Sequence, residues 1–140
     1  MTTIFRIADR RELFRQLLVP TLDVYVPDMP GEPRWWSDVL RFMILRDHPW
    51  WLYVDCDVDF LKENIEHLCS SRKPAFPRYA GWVDVWACYG AGDELFFDRM
   101  LRETRKREIG WPITEYLMHK QNEYETLPRC RLLRHAGEKY

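Results

Sequence analysis

Three features are missing from this 140-residue chain, and each absence removes a class of protein. No stretch approaches the roughly 18 consecutive apolar residues of a membrane span, so no transmembrane helix is expected. The four cysteines, Cys56, Cys69, Cys88 and Cys130, stand 13, 19 and 42 positions apart without a CxxC pair. That spacing fits neither a zinc ribbon nor a dense disulfide framework, and free, packed thiols are expected. A basic excess is also missing. With 21 Lys plus Arg against 22 Asp plus Glu, the formal net charge is -1, so nothing in the overall balance advertises a nucleic-acid partner. Internal repeats and low-complexity tracts are lacking too. Met1 to Asp9 holds no cationic stretch followed by an apolar segment and cleavage site, which makes a cytoplasmic protein the expectation.

What the chain does have is apolar mass: 46% hydrophobic and 15% aromatic residues beside 31% charged ones, enough for one core under a solvated surface. Its length suits a single domain over residues 1–140. The patterning reads as α/β. Thr3 to Ala8 and Leu22 to Val26 are predicted strands, with a helix from Asp9 to Leu18 between them and a proline-rich loop after them. Trp35 to Arg46 is predicted as a mostly buried helix with Arg34, Asp38 and Arg41 spaced three or four apart on one face. Trp50 to Val54 is a continuous apolar run, the pattern of a central strand covered on both faces. Phe60 to Cys69 reads as a helix or turn, Ser70 to Pro77 as a loop and Trp82 to Tyr89 as another strand broken by Gly90-Ala91-Gly92. Asp93 to Arg107 is predicted as an amphipathic helix with Leu95, Phe96, Met100 and Leu101 inward. Ile113 to Asn122 should be a last substantial helix, and Leu127 to Leu133 a short edge strand.

The chemistry concentrates directly after the buried strand, in Asp55-Cys56-Asp57-Val58-Asp59, three carboxylates at alternate positions. Ligands of α/β sheets gather at the carboxyl ends of strands, so Asp55 and Asp57 would arrive there on a rigid support. Carboxylates so close repel when ionised, and a hard divalent cation neutralises them while offsetting the charge of a diphosphate. Taken alone, the triplet is equally a solvated strand end or a cap for the next helix.

Its neighbourhood adds a resemblance. Trp36-Ser37-Asp38-Val39-Leu40-Arg41-Phe42-Met43-Ile44-Leu45, followed by Trp50-Trp51-Leu52-Tyr53-Val54-Asp55-Cys56-Asp57-Val58, resembles the DXD sugar-binding region of retaining glycosyltransferases. Those families include yeast initiation mannosyltransferases, capsular polysaccharide transferases and large clostridial glucosylating toxins, with a pattern of approximately SDxxRxxxLxxxGGxYxDxD. The match covers about 22 positions, including Ser37, Asp38, Arg41, Leu45, Tyr53, Asp55 and Asp57; Trp50-Trp51 stand where the family has GlyGly. The resemblance implies a GT-A fold with a mixed central sheet and flanking helices, a nucleotide-diphospho-sugar donor, an acceptor of unknown kind, and Mn2+ or Mg2+. It implies catalytic roles for Asp55 and Asp57, donor-sugar contacts from Asp38 and Arg41, ribose or sugar contacts from Asp55, and the metal on Asp57. Trp36, beside Ser37-Asp38, is the first candidate for stacking on the donor, ahead of Trp35, Trp82 and Trp111.

Two further segments resemble parts of such enzymes. Gly90-Ala91-Gly92-Asp93 is similar to a small-residue loop before a helix, and is also an ordinary glycine turn with Asp93 as cap. His135-Ala136-Gly137-Glu138-Lys139-Tyr140 loosely resembles the terminal HxxGxxKPW motif of glycogenin-like transferases. That implies His135 as a second metal ligand and Lys139 as a diphosphate contact. A chain of this length leaves room for a homo-oligomer or a partner subunit. Two rival readings stay open: a nucleotide-sugar-binding or interaction protein that has lost catalysis, and a haloacid-dehalogenase-like phosphatase with Asp55 as nucleophile, Asp57 as acid/base and magnesium.

Overall fold

The computed structural model describes residues 2–8, 20–26, 30–56, 58–60, 65–79, 81–107, 113–127, 132–134 and 138–139. In chain order the elements are β1 (Ile4–Ala8), β2 (Leu22–Tyr25), α1 (Pro33–Asp47), β3 (Leu52–Val54), β4 (Val58–Phe60), α2 (Ile65–Leu68) and β5 (Ala75–Phe76). There follow β6 (Arg78–Tyr79), β7 (Trp82–Val83), β8 (Ala87–Tyr89), α3 (Glu94–Lys106), α4 (Ile113–Met118), a 3-10 turn at Gln121–Glu123, β9 (Glu125–Thr126), β10 (Leu132–Arg134) and β11 (Glu138–Lys139). The α/β class with a mixed central sheet and flanking helices is as expected. The expected helix from Asp9 to Leu18 lies outside the described residues.

Six strands form the main sheet in the order β2-β1-β3-β8-β5-β9. Strands β2, β1 and β3 are mutually parallel, β8 runs antiparallel to both β3 and β5, and β9 is parallel to β5. Side-chain alternation sorts the apolar residues onto two faces. Phe5, Ile7, Tyr53, Phe76 and Cys88 turn to the side covered by Val39, Phe42 and Leu45 of α1 and Phe96, Phe97, Met100 and Leu101 of α3. Ile4, Leu52, Val54, Ala75, Ala87 and Tyr89 turn to the other side, against Leu68, Val58 and Leu127. Both faces of β3 are therefore buried, which is why its sequence is uninterruptedly apolar.

Several expected elements take a different form. The run Trp82 to Tyr89 is two strands, because the Asp84 N–H donates to the Pro77 carbonyl at 2.9 Å and the Val85 N–H to the Asp84 carboxylate at 2.7 Å, away from the ladder. β7 pairs instead with β6 in a hairpin. The loop expected over Ser70 to Pro77 contains β5, whose buried Ala75 and Phe76 fill the slot between β8 and β9. Of the helix or turn expected from Phe60 to Cys69, Phe60 ends β4, Ile65–Leu68 is helical, and residues 61–64 lie outside the described residues. The last helix stops at Met118, where N–H bonds from His119 to Tyr116 and from Lys120 to Leu117 tighten its final turn. Of the edge strand expected from Leu127 to Leu133, residues 128–131 lie outside the described residues, and Leu132 and Leu133 belong to β10, which pairs with both β11 and β4. In α3 the buried set is Phe96, Phe97, Met100, Leu101 and Thr104, and Leu95 is 70% exposed. Residues one apart on a helix differ by about 100°, and the stripe centred on Phe96–Phe97 excludes Leu95.

The turns flanking β3 and β8 lock together at one end of the sheet. The Gly90 N–H donates to the Trp51 carbonyl and the Gly92 N–H to the Pro49 carbonyl, at 3.2 and 2.8 Å. A side chain on Gly90 would stand 2.0 Å from the Pro49 oxygen, and Gly92 has φ +78° with the Trp50 ring 2.5 Å from where its Cβ would be. Gly90→Ala should lower stability by about 2–3 kcal/mol or more, since backbone must move, whereas Leu95→Ser should stay within about 0.5 kcal/mol. Urea midpoints of the two variants check this, and equal midpoints would refute the packing described.

Candidate functional site

Asp55 leaves the carboxyl end of β3 with its N–H donated to the Trp86 carbonyl at 2.8 Å, so the antiparallel β8 holds its backbone in place. Tyr53, two residues earlier, shares its side of the strand, and the Tyr53 hydroxyl donates to Asp55 Oδ1 at 2.7 Å. Arg41 comes down from α1 onto this pair. Its Nη2 donates to the Tyr53 hydroxyl at 2.8 Å and to Ser37 Oγ at 3.4 Å, and its Nη1 donates to the Val85 carbonyl at 2.8 Å. Asp38, one helical turn back, lies 3.3 Å from Nη1, and Asp55 Oδ1 lies 3.6 Å from Nη2. The guanidinium also covers the Tyr53 ring, 4.0 Å from its centroid. One buried cation thus joins α1, β3 and the approach to β8.

The electrostatics follow from burial. Arg41 is 5% exposed. Loss of hydration pulls it toward neutrality, but Tyr53, Asp38, Asp55 and Cys88 together outweigh that and raise its pKa above the ordinary arginine value. Burial raises the Tyr53 phenol well above its usual range, and the charge of Asp55 and its hydrogen bond add to this against the pull of Arg41. The phenol therefore stays protonated, as its donation to Asp55 requires. Cys88 is likewise raised, chiefly by burial, and remains a thiol. Asp38 is raised by burial, which outweighs the attraction of Arg41 and Arg34, and Asp84 adds to the rise. Asp84, at the end of the β6–β7 hairpin, therefore belongs electrostatically to the same cluster.

Arg41 Nη1 and Nη2 are bonded to protein oxygens, its Nε is buried without a hydrogen-bond partner among the described residues, and the more exposed members of the cluster are the carboxylates. The side chains of Asp38 and Asp55 are 31% and 28% exposed. Arg41, expected to touch a donor sugar, is buried between Asp38 and Asp55. Trp36, next to Ser37 in the chain, is half-buried, edge-on to Trp35 at 4.8 Å, its indole N–H donated to the Pro30 carbonyl at 3.2 Å. Asp57 and His135 lie outside the described residues. Lys139 lies on β11, where its backbone is paired with Leu133. Among the described residues no three His, Cys, Asp or Glu side chains form a metal-binding group. Cys56, Cys69 and Cys88 stand outside any disulfide among the described residues, with Cys88 buried and the other two half-buried, and Cys130 lies outside the described residues.

The sequence reading brought Asp38, Arg41 and Asp55 together, and the structure does the same. It missed the bridging hydroxyl of Tyr53, although the i, i+2 spacing to Asp55 signals a shared face. It also missed Asp84 and the Val85 carbonyl, which reach the cluster only through β3–β8 pairing. The Gly90-Ala91-Gly92 loop does not join them. Tyr89 pairs with Leu52 and Ala87 with Val54, so the loop stands at the amino end of β3, away from Asp55, and the N-terminus of α3 is capped by the Asp93 carboxylate on the Phe96 N–H. Among the described residues no helix is long and apolar enough to cross a membrane. Comparison with family models, with curated proteins and with solved structures finds no match.

Arg41→Met should cost about 3 kcal/mol, because it strips two acids and a phenol of their shared cation, and Tyr53→Phe about 1–2 kcal/mol. Asp38 should behave in the opposite sense. Its raised pKa means that the fold favours the neutral acid. That contribution is complete below the ordinary carboxylate value of about 4 and is lost as pH climbs through the raised value. Asp38→Asn should therefore unfold at higher urea than the unaltered chain at pH 7, with the advantage shrinking on acidification. A lower midpoint at pH 7 would mean that the ion pair with Arg41 outweighs dehydration.

Proposed function

We propose that the chain is a metal-dependent glycosyltransferase of the GT-A type, moving a sugar from a nucleotide-diphospho-sugar to an acceptor hydroxyl with retention of configuration. The observation that carries this reading is the convergence of Asp38, Arg41, Tyr53 and Asp55 at the carboxyl end of β3, two residues before Asp57. Two features of topology support it. The chain passes from β1 to β2 on one side and then through α1 to β3 on the other side of β1. Strand order therefore reverses at β1/β3, and nucleotides bind in α/β sheets at such a reversal, outside the carboxyl ends of the strands. The second feature is the small sheet. Val58, which follows Asp57, pairs with Arg134, which precedes His135, and β11 with Lys139 lies next to β10. The two proposed metal ligands thus adjoin a paired couple of residues in the chain.

In this reading Asp38 and Asp55 accept hydrogen bonds from donor-sugar and ribose hydroxyls, held to their positions by Arg41 and Tyr53. Asp57 and His135 would hold Mn2+ or Mg2+, which when bound supplies positive charge at the diphosphate. Lys139 adds a further cation for the leaving group. The acceptor oxygen forms its bond to C1 as the bond from C1 to the diphosphate oxygen breaks. The bonding pair leaves with the nucleoside diphosphate, and the acceptor proton passes to that oxygen. Groups organised in advance around developing charge lower a barrier by several kcal/mol, so loss of one should depress turnover at least about a hundredfold.

Thermal unfolding with manganese and a panel of UDP-, GDP- and ADP-sugars tests this directly. At a hundred times the Kd a donor should add about 2.7 kcal/mol of stability, chelation of the metal should remove it, and Asp57→Asn should abolish it. Donor binding with neither hydrolysis nor transfer would identify a nucleotide-sugar-binding protein that has lost catalysis. No stabilisation by any donor, together with phosphate release from p-nitrophenyl phosphate dependent on Asp55, would favour the phosphatase reading instead.

A further inference from the structure

Many cations of this chain are answered by carboxylates. Arg6 is bonded to Asp23, Arg46 to Asp47 and Arg102 to Asp98, and Lys106 and Arg107 lie within 4.0 Å of Glu103. Three exceptions gather on one turn. The 3-10 turn Gln121–Glu123, between α4 and β9, is met by a cation at each of its residues. Arg78 donates to Gln121 Oε1 at 2.7 Å, Lys73 to the Asn122 carbonyl at 3.1 Å and Arg99 to Glu123 Oε1 at 3.0 Å. Lys120, the residue before the turn, extends over the Tyr116 ring at 5.9 Å. Only Arg99 meets an acid there. Lys73, Arg78 and Lys120 are held by a carbonyl, an amide oxygen and a ring, and among the described residues none of the three has a carboxylate within ion-pair distance.

Three cations without counter-charge on one turn make a local positive field, although the chain as a whole carries -1. Of the acids beside them in the chain, Glu123 is bonded to Arg99, and Glu125 shares the face of its partner Ala75, on the side of the sheet away from α3. The neutral acceptors fix where the charges stand without cancelling them. Donors also remain: an ammonium has three N–H groups and a guanidinium five, of which Lys73 uses one and Arg78 two, counting the Gly81 carbonyl at 3.4 Å. The surroundings select the ligand. Gln121 and Asn122 are exposed and polar, so the turn lacks the apolar centre on which a protein interface is built. Its two neighbouring rings are occupied, since Tyr124 is 5% exposed with Arg78 over it, and Tyr116 is half-buried with Lys120 and Arg107 over it. Neither ring offers the open face on which the bases of a single strand stack. A duplex presents regularly spaced phosphates and is held by lysine and arginine without any ring.

We propose that Lys73, Arg78 and Lys120 form a contact surface for the phosphate backbone of a nucleic-acid duplex, held without regard to base sequence. The surface goes beyond the transferase reading and shares no residue with the cluster around Arg41. Fluorescence anisotropy of the full chain tests it, with labelled DNA and RNA duplexes of about 24 base pairs and one labelled strand alone. Three phosphate contacts give a slope of log affinity against log salt of about -2.7, an affinity loss of about forty-fold between about 50 and 200 mM salt. Binding of either duplex with that slope supports the proposal, and the pair of probes tells DNA from RNA. Lys73→Gln and Lys120→Gln, both at exposed positions, should each reduce the slope by about 1, and Lys73→Arg should keep it. Arg46→Gln, which removes the same charge from a cation paired with Asp47, should leave it unchanged. No binding of either duplex at the lower salt overturns the proposal, as does a slope that survives Lys73→Gln with Lys120→Gln or falls equally in Arg46→Gln. Tighter binding of the single strand overturns it in favour of base contacts, and displacement of the duplex by an equal charge of poly-L-glutamate in favour of an acidic protein. Lys73→Gln should retain its stabilisation by manganese and nucleotide sugar. A chain that holds a duplex but gains nothing from any nucleotide sugar would count against the transferase reading and keep this surface, and one stabilised by a donor but indifferent to duplexes would do the reverse.

Discussion

The organisation of this protein turns on a single buried cation. Arg41 brings a guanidinium to a place with almost no water, and its two terminal nitrogens are met by oxygens from three separate parts of the chain: Ser37 and Asp38 on α1, Tyr53 on β3 with Asp55 just after it, and the Val85 carbonyl before β8, while Nε stays buried without a hydrogen-bond partner among the described residues. A cation in that position is tolerable only when it is paired and hydrogen-bonded. The requirement runs in both directions, since the helix cannot slide along the sheet without uncovering the charge. Asp38 and Asp55 are consequently fixed relative to one another although they belong to different elements. For the proposed glycosyl transfer, that fixed separation is what would orient a donor sugar.

The two ends of the main sheet have been given different work. At the amino end of β3, the Pro49 backbone and the Trp50 ring pack where Gly90 and Gly92 on the adjoining turn carry no side chain. Trp51 stacks on His48 at 3.8 Å, adding ring contact to the same corner. At the carboxyl end the packing gives way to Asp38 and Asp55 around Arg41, with Asp84 acting on Asp38. Close packing at one end gives the short central strand a rigid seat, and the polar residues collect at the other, where solvent and ligands have access. The segment before β8 reaches this end because β8 runs antiparallel to β3.

Much of this was legible beforehand, for reasons that can be named. β1, β2, α1, β3 and α3 were readable because each has a local signature: alternation, an apolar run, or a helical stripe ended by prolines and glycines. The proximity of Asp38 to Arg41 follows from three residues of helix, and that of Tyr53 to Asp55 from the two-residue repeat of a strand. Elements of two or three residues were not readable. β4, β5 and the division of β7 from β8 exist because neighbours offer hydrogen-bonding partners, and no propensity in so few residues can announce that. The exposure of Leu95 was missed for a related reason, since a helix with apolar residues at 95, 96 and 97 admits two stripes and the sheet it meets selects one.

The sequence by itself determined an α/β chain with a buried strand that ends in acids, and a helix that carries an acid and a base one turn apart. Those are local properties, set by spacing along a single element. Only the tertiary structure decided that the base of that helix would reach the acid of that strand, that Asp84 would join them, and that Trp82 rather than Trp36 would keep its ring in solvent. Each of these depends on which strands pair and in what register, and pairing is settled by the burial of whole faces, a quantity that no short stretch of sequence contains.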